Sequence, residues 1–190
     1  MADEESAAVR IEELEREIIE RKQQLAALYL GQEPEIVGEY EFQRSDGKRV
    51  ALLDLFDGQE DLILIHNMGS QCRYCTAWAD GFNGVLRHIE SRASFVVCSP
   101  DAPETQRKIA ESRGWEFTIV SPLGPGFTTD MGFVDAIHIP GFSTFHKDES
   151  ETIRRIANRK FGAHDDFFPP WHFFDLLRDG PGDWKPKFQY

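Results

Sequence analysis

The stretch Leu62-Ile-Leu-Ile-His-Asn-Met-Gly-Ser-Gln-Cys-Arg-Tyr-Cys75 decides the fold of this chain of 190 residues. Its first four residues are continuous and apolar, which is typical of a strand buried on both faces of a sheet. Beyond Cys75, apolar residues recur at helical spacing, at Trp78, Phe82, Val85, Leu86 and Ile89. The pattern predicts a strand, a loop and a helix, with Cys72 and Cys75 at the helix N-terminus. Trp78 faces either the core or a substrate groove, and its size and apolar character favour the core.

The segments that follow continue the alternation of strand and helix. Ser94–Cys98 has the composition of a second buried strand, and Pro103–Gly114 that of a polar helix that ends at its glycine. Phe117–Val120 is expected as a short strand, and Ile137–His146 and Glu151–Ala157 as an antiparallel pair. We therefore expect an α/β protein with a central mixed β-sheet flanked by helices on both faces.

A separate helix precedes this domain. Residues 5–30 carry an apolar stripe at three-and-four spacing, formed by Ile11, Leu14, Ile18, Leu25 and Leu28 and interrupted by Arg21. The stripe fits either a dimerising coiled coil or a helix docked on its own domain, and its short length favours docking. We divide the chain into a helical extension, residues 1–34, and a domain, residues 35–190.

Two further segments complete the domain. Glu39–Gln43 and Arg49–Leu52 flank the turn signal Ser45-Asp-Gly-Lys48, which predicts a β-hairpin ahead of the buried strand. Near the C-terminus, an aromatic cluster is formed by Phe167, Phe168, Trp171, Phe173, Phe174, Leu176 and Leu177. We expect this cluster to form a last helix packed on the sheet. Alternatively it covers a partner, so it and the N-terminal helix are the two candidate surfaces for a homodimer.

Composition and charge restrict the possible partners and compartment. The net charge of −12 repels nucleic acid and anionic membrane surfaces. No apolar run is long enough to span a bilayer, and the start Met1-Ala-Asp-Glu-Glu5 lacks the order of a secretory signal. We therefore expect the protein to reside in the cytosol. Three cysteines form no structural disulfide framework, and Cys98, in a predicted inner strand, is expected to act as a small core residue.

The cysteine pair has the spacing that disulfide exchange requires. Cys72, at the open end of the helix, is the predicted nucleophile, because the helix dipole, free N–H groups and Arg73 favour its thiolate. Cys75, one turn inward, is the predicted resolving thiol. Structural zinc normally needs four ligands and no second such pair exists, so we expect no metal and no cofactor. The expected partners are a protein or small-molecule disulfide or thiol and a reductant.

Five segments carry a resemblance to a known family: His66–Gly84, Arg113–Phe117, Phe127–Asp130, Pro140–Phe145 and Trp171–Leu177. Together they resemble a bacterial family described as thioredoxin-like predicted dithiol–disulfide oxidoreductases. The resemblance spans nearly the whole chain. It implies a thioredoxin-like fold and a redox-active cysteine pair, and it names no substrate.

The resemblance also implies roles for Pro140 and His66. Thioredoxins carry a cis-proline beside the cysteine pair, and Pro140 matches that element, so we expect a cis bond there. They also carry a buried acid at the position that His66 occupies here. His66 could accept the proton of Cys75, and the alternative is a hydrogen-bonded structural histidine. Gln71 departs from the thioredoxin pattern, which has tryptophan before the first cysteine.

Three alternatives to a dithiol oxidoreductase stay open. A peroxiredoxin-like peroxidase is suggested by the hairpin and by Asp54-Leu-Phe56, but Ile65 and Gly69 stand where peroxidatic sites carry proline and threonine or serine. A soft-metal carrier would hold copper(I) between the two cysteines and His138. A binding module would keep the fold without the activity.

Overall fold

The computed structural model describes residues 2–124 and 126–190, with side chains from Ser6 onward. Met1 of the predicted extension and Pro125 lie outside the described residues. The strands are β1 (Glu35–Ile36), β2 (Glu41–Arg44), β3 (Arg49–Ala51), β4 (Asp61–His66), β5 (Ser94–Cys98), β6 (Thr118–Pro122), β7 (Gly141–Lys147) and β8 (Ile153–Lys160). The α-helices are α1 (Ala2–Leu30), α2 (Arg73–Glu90), α3 (Pro103–Arg113), α4 (Gly126–Asp130) and α5 (Pro170–Asp175).

All the strands belong to one mixed sheet, in the order β1-β8-β7-β4-β5-β6-β2-β3. Strands β4, β5 and β6 run parallel, and the remaining pairings are antiparallel. His66, the last residue of β4, pairs with Cys98 on one side and with Gly141 on the other. The ends of β4 and β5 and the start of β7 therefore meet at one edge of the sheet, and the loop to Cys72 leaves from this edge.

The apolar run in β4 is explained by two buried clusters, one on each face of the sheet. Leu62 and Leu64 point into the first cluster, which also contains Cys98, Phe127 and Phe133. The alternate residue Ile65 points into the second cluster, under α2, with Cys75 and Trp78. A strand covered on both faces has no solvent side, so it carries no polar alternation.

The strands, hairpin and helices predicted around the cysteines are confirmed, and the core positions of Trp78 and Cys98 are confirmed with them, at 5% and 4% exposure. The C-terminal helix is shorter than expected. It buries Trp171, whereas Phe173, Leu176 and Leu177 remain exposed. In the aromatic segment, Phe167 packs on Phe142 of β7, and Trp171 stacks on Tyr74 of α2. The cluster thus reaches the helix that carries the cysteines as well as the sheet.

The expectation that the N-terminal stripe docks on its own domain is wrong. Helix α1 forms over the predicted residues, but its stripe is not buried against the domain, with Ile18 51% and Leu28 70% exposed. The helix is tied to the domain at its flank, where Lys22 Nζ lies 2.7 Å from Asp166 Oδ1. A contact on the polar flank leaves the apolar side uncovered.

Candidate active site at the start of helix α2

Cys72 is the N-cap residue of α2. Its backbone is extended, with φ −94° and ψ 100°, and its sulfur accepts the backbone N–H of Cys75 at 3.1 Å. Its carbonyl oxygen accepts both the N–H and the hydroxyl of Thr76, at 3.0 and 3.1 Å. The first turn therefore points the Cys75 N–H at the sulfur, as helix N-termini do for anions.

Cys72 and Cys75 are joined by a disulfide, with their Cα atoms 5.2 Å apart. The two sulfurs differ in access, because Cys72 is half-buried and Cys75 is 3% exposed. Cys98 has no disulfide partner and is fully enclosed, and burial raises the pKa of its thiol to about 12. Of the three cysteines, the predicted nucleophile is the most accessible.

Asp101, a residue that the sequence analysis did not identify, anchors the loop before Cys72. Its carboxylate accepts the backbone N–H of Ser70 at 2.6 Å and the Ser70 hydroxyl at 3.1 Å. Next to Ser70, Gly69 has φ +104°, and a Cβ there would lie 3.2 Å from the Asp101 carboxylate. The turn therefore requires glycine at 69, and Asp101 fixes the direction in which the chain enters α2.

Aromatic residues cover one side of the site. Tyr74, between the two cysteines, stacks on Trp171 with ring centroids 6.3 Å apart and lies 6.4 Å from Trp78. Arg73 is exposed, and its guanidinium carbon lies 6.0 Å from the centre of the Tyr74 ring. The C-terminal segment is thus in contact with the residue that separates the cysteines.

His66 lies on the other face of the sheet from the cysteines. It is 2% exposed and stacks on Phe133 at 3.8 Å, in the cluster opposite α2. Its Nε2 is 2.8 Å from Ser143 Oγ, and the Ser143 hydroxyl donates to Asn158 Oδ1 at 2.6 Å. Because that hydroxyl proton is committed to Asn158, Nε2 carries the hydrogen and Nδ1 the lone pair.

Burial lowers the pKa of His66 to about 3, so the ring is neutral near pH 7. Its Nδ1 has no hydrogen-bond partner among the described residues. The structure therefore does not bring His66 to Cys75, and its contacts are those of the structural histidine that the sequence left as the alternative.

The predicted cis bond at Pro140 is wrong, since the Ile139–Pro140 bond is trans. The predicted strand Ile137–His146 also starts later, at Gly141. The reason is a local fold-back, in which Ile139 N–H donates to the Phe133 carbonyl at 2.8 Å and Val134 bridges to His138. The chain reverses in this loop before the proline. Pro140 itself stands beside the end of β4, at the edge from which the cysteine loop leaves.

His138 does not join the cysteines. It lines a cavity of about 10 Å³ with His66 and Cys98, on the opposite side of the sheet from the disulfide. Within residues 6–124 and 126–190, whose side chains are described, no three histidine, cysteine, aspartate or glutamate side chains are grouped as a metal site requires. None of the described helices is long and apolar enough to cross a membrane.

Comparisons with known proteins agree on the fold. Peroxidoxin BcpB from Mycobacterium tuberculosis is 22% identical, with a TM-score of 0.54 over 65% of this chain and 84% of that chain. The reduced 2-Cys peroxiredoxin from Plasmodium vivax is 16% identical, with a TM-score of 0.52 over 73% and 90%. Among curated proteins, none matches this sequence.

At these identities the similarity establishes the thioredoxin-like α/β fold. The family comparison covers far more of the chain, since residues 5–185 match the family described as bacterial protein of unknown function (DUF899). That match includes most of helix α1, the cysteine pair and the aromatic C-terminal segment. The chain therefore belongs to the DUF899 family of bacterial proteins.

Proposed function

We propose that this protein is a dithiol–disulfide oxidoreductase in which Cys72 attacks the substrate and Cys75 resolves the mixed disulfide. The observation that carries the proposal is the hydrogen bond from Cys75 N–H to the Cys72 sulfur at the start of α2. This N–H and the helix dipole favour a thiolate at Cys72. The burial of Cys75 keeps the resolving thiol away from outside reagents until the mixed disulfide forms.

The reaction proceeds in two exchanges. The Cys72 thiolate attacks one sulfur of a substrate disulfide, forming a Cys72–substrate disulfide and releasing the other half as a thiolate. Cys75, as thiolate, then attacks Cys72, forming the Cys72–Cys75 disulfide and releasing the second substrate thiolate. The substrate gains two electrons and the protein loses two, so a separate dithiol reductant must restore the pair.

Replacement of the resolving cysteine tests this order. Cys75→Ser should accumulate a mixed disulfide on Cys72 when the reduced protein meets a disulfide substrate, and mass spectrometry locates it. Cys98→Ser is the matched control, because Cys98 lies in the opposite cluster and should leave resolution unchanged. Labelling of Cys75 ahead of Cys72 in the reduced wild-type protein would reverse the assignment. Failure of all three cysteines to react would favour a binding module, and stoichiometric metal on the pair a carrier.

Peroxide reduction is the second candidate, and the fold shared with peroxiredoxins supports it. In that reaction the Cys72 thiolate attacks a peroxide oxygen, giving a sulfenic acid and an alcohol or water, and Cys75 then forms the disulfide with loss of water. It ranks second because Ile65 and Gly69 stand where peroxidatic sites carry proline and threonine or serine. Peroxide consumption with a dithiol reductant, measured beside disulfide reduction, separates the two candidate reactions.

Residence of the protein in the cytosol stays a prediction that cell fractionation tests.

A further inference from the structure

The apolar stripe of α1 is not covered by this chain. From Ser6 to Leu30, every side chain is exposed except Glu13 and Tyr29, which are half-buried. The exposures of the stripe are 57% at Ile11, 41% at Leu14, 51% at Ile18, 40% at Leu25 and 70% at Leu28. A helix of this length gains most of its stability by packing such a face. The stripe is therefore a surface for another polypeptide.

The spacing of the stripe fits the heptad repeat of a coiled coil. Ile11, Ile18 and Leu25 take the first core position of successive heptads, and Leu14 and Leu28 take the fourth. Isoleucine at the first position with leucine at the fourth favours two parallel helices. The pattern therefore fits a parallel pair of two helices, although Leu25 and Arg21 depart from it.

The flanks of the stripe are complementary in charge to those of an identical helix. In a parallel pair, the seventh residue of one heptad faces the fifth residue of the next heptad on the other helix. Arg10 then faces Glu15 of the second copy, and Glu17 faces Lys22. Both contacts join opposite charges, so a second copy of this chain is the occupant that the flanks favour.

The charged residues on the flanks and in the seam affect how two α1 helices would pair. Both flank cations already have a partner in their own chain, since Arg10 lies 3.1 Å from Glu13 and Lys22 lies 2.7 Å from Asp166, and each would share or exchange that partner when the pair forms. Arg21 holds the fourth position of the middle heptad, and its guanidinium donates to Gln24 Oε1 at 3.0 Å. That contact turns the charge to the flank of the seam, and the methylene stem of an arginine can then pack against apolar neighbours. A charged residue in the seam lowers stability and fixes the register.

We propose that the protein is a homodimer held by a parallel coiled coil of two α1 helices, in register at Ile11, Ile18 and Leu25. Sedimentation equilibrium of the full chain under reducing conditions should give about twice the monomer mass of 21.8 kDa. Glu15→Arg brings a second guanidinium next to Arg10 of the opposite copy, and should raise the dimer dissociation constant about fivefold or more. Adding Arg10→Glu should restore it. Glu12→Arg, on the outer side of the helix, is the matched control.

Cross-linking tests the parallel orientation. In a chain that also carries Cys72→Ser and Cys75→Ser, Ile11→Cys, at one end of the stripe, should form a disulfide with its counterpart under mild oxidation only if the helices are parallel, and Arg16→Cys, on the outer side, should not. Far-UV circular dichroism confirms that each variant keeps its helix. A monomer at all concentrations, a dimer indifferent to Glu15→Arg, or equal cross-linking at both positions would overturn the proposal. None of these results depends on the thiol chemistry.

Discussion

The Asp101 carboxylate accepts the backbone N–H of Ser70 at 2.6 Å, two residues before the half-buried Cys72. This contact joins the loop after β5 to the loop after β4, so it couples two crossovers of the sheet at the candidate site. Removing a charged acceptor from a partly buried N–H costs about 1.5–3 kcal/mol. Asp101→Ala should therefore lower the free energy of unfolding by about that amount, measured by urea denaturation.

The matched variants separate geometry from charge at Asp101. Asp101→Asn keeps an oxygen acceptor for Ser70 and should recover part of the loss, and Asp179→Ala, at an exposed site, should change stability by less than about 0.5 kcal/mol. If Asp101→Ala were as stable as the wild type, the loop before Cys72 would not depend on this carboxylate.

Arg73 should tune the reactivity of Cys72. It is the first residue of α2 and exposed, so its charge acts on the thiolate through solvent and helps the helix dipole. Charges at this end of a helix contribute about 0.3–1 kcal/mol, and Arg73→Glu should slow alkylation of reduced Cys72 about two- to fivefold. Arg178→Glu, exposed and distant in sequence, is the control. An unchanged rate would show that the N–H groups of α2 alone stabilise the thiolate.

His66 and Asp101 show which features of the site could be predicted from the sequence and which could not. The strand–loop–helix unit was predictable because its signals, an apolar run and then helical spacing, are local. The Asp101–Ser70 contact was not, because it joins residues whose proximity depends on the pairing of β4 with β5. Alternation along β4 puts His66 and Leu64 on one face, but only the packing of α2 tells which face the cysteines occupy.

His66 should make stability depend on pH. Burial lowers its pKa from 6.5 to about 3 in the folded protein, so the unfolded chain binds the proton first as the pH falls. The stability tied to neutral His66 is complete above pH 6.5 and is lost between pH 6.5 and 3, at up to about 1.4 kcal/mol per pH unit. His66→Gln should flatten this part of the profile of unfolding free energy. His88→Gln, an exposed histidine, should leave it unchanged.

The same variant tests whether His66 takes part in the thiol steps. Because His66 lies in the cluster opposite Cys75, His66→Gln should leave both the attack of Cys72 and the resolution by Cys75 at their wild-type rates under conditions where the variant is folded. Slower resolution with an unchanged first attack would instead support a proton transfer between His66 and Cys75.

Gly141, the residue after Pro140, should be the least replaceable glycine near the site. A Cβ at 141 would lie 2.4 Å from the Arg159 carbonyl oxygen, 2.4 Å from Phe133 Cε1 and 2.9 Å from Lys160 Cα. Two of these atoms are backbone in β8, so β7 and β8 would have to separate where the sheet meets the cysteine loop. Gly141→Ala should therefore cost about 3 kcal/mol or more, beyond the effect of ordinary overpacking.

Gly162→Ala is the control for Gly141, because no atom lies within 4 Å of the added methyl group. The free energy of unfolding of that variant should lie within about 1 kcal/mol of the wild-type value or slightly above it, since alanine restricts the unfolded chain. Thermal unfolding of the two variants, followed by circular dichroism, gives the comparison. Equal midpoints would mean that β8 can move away from β7 without loss.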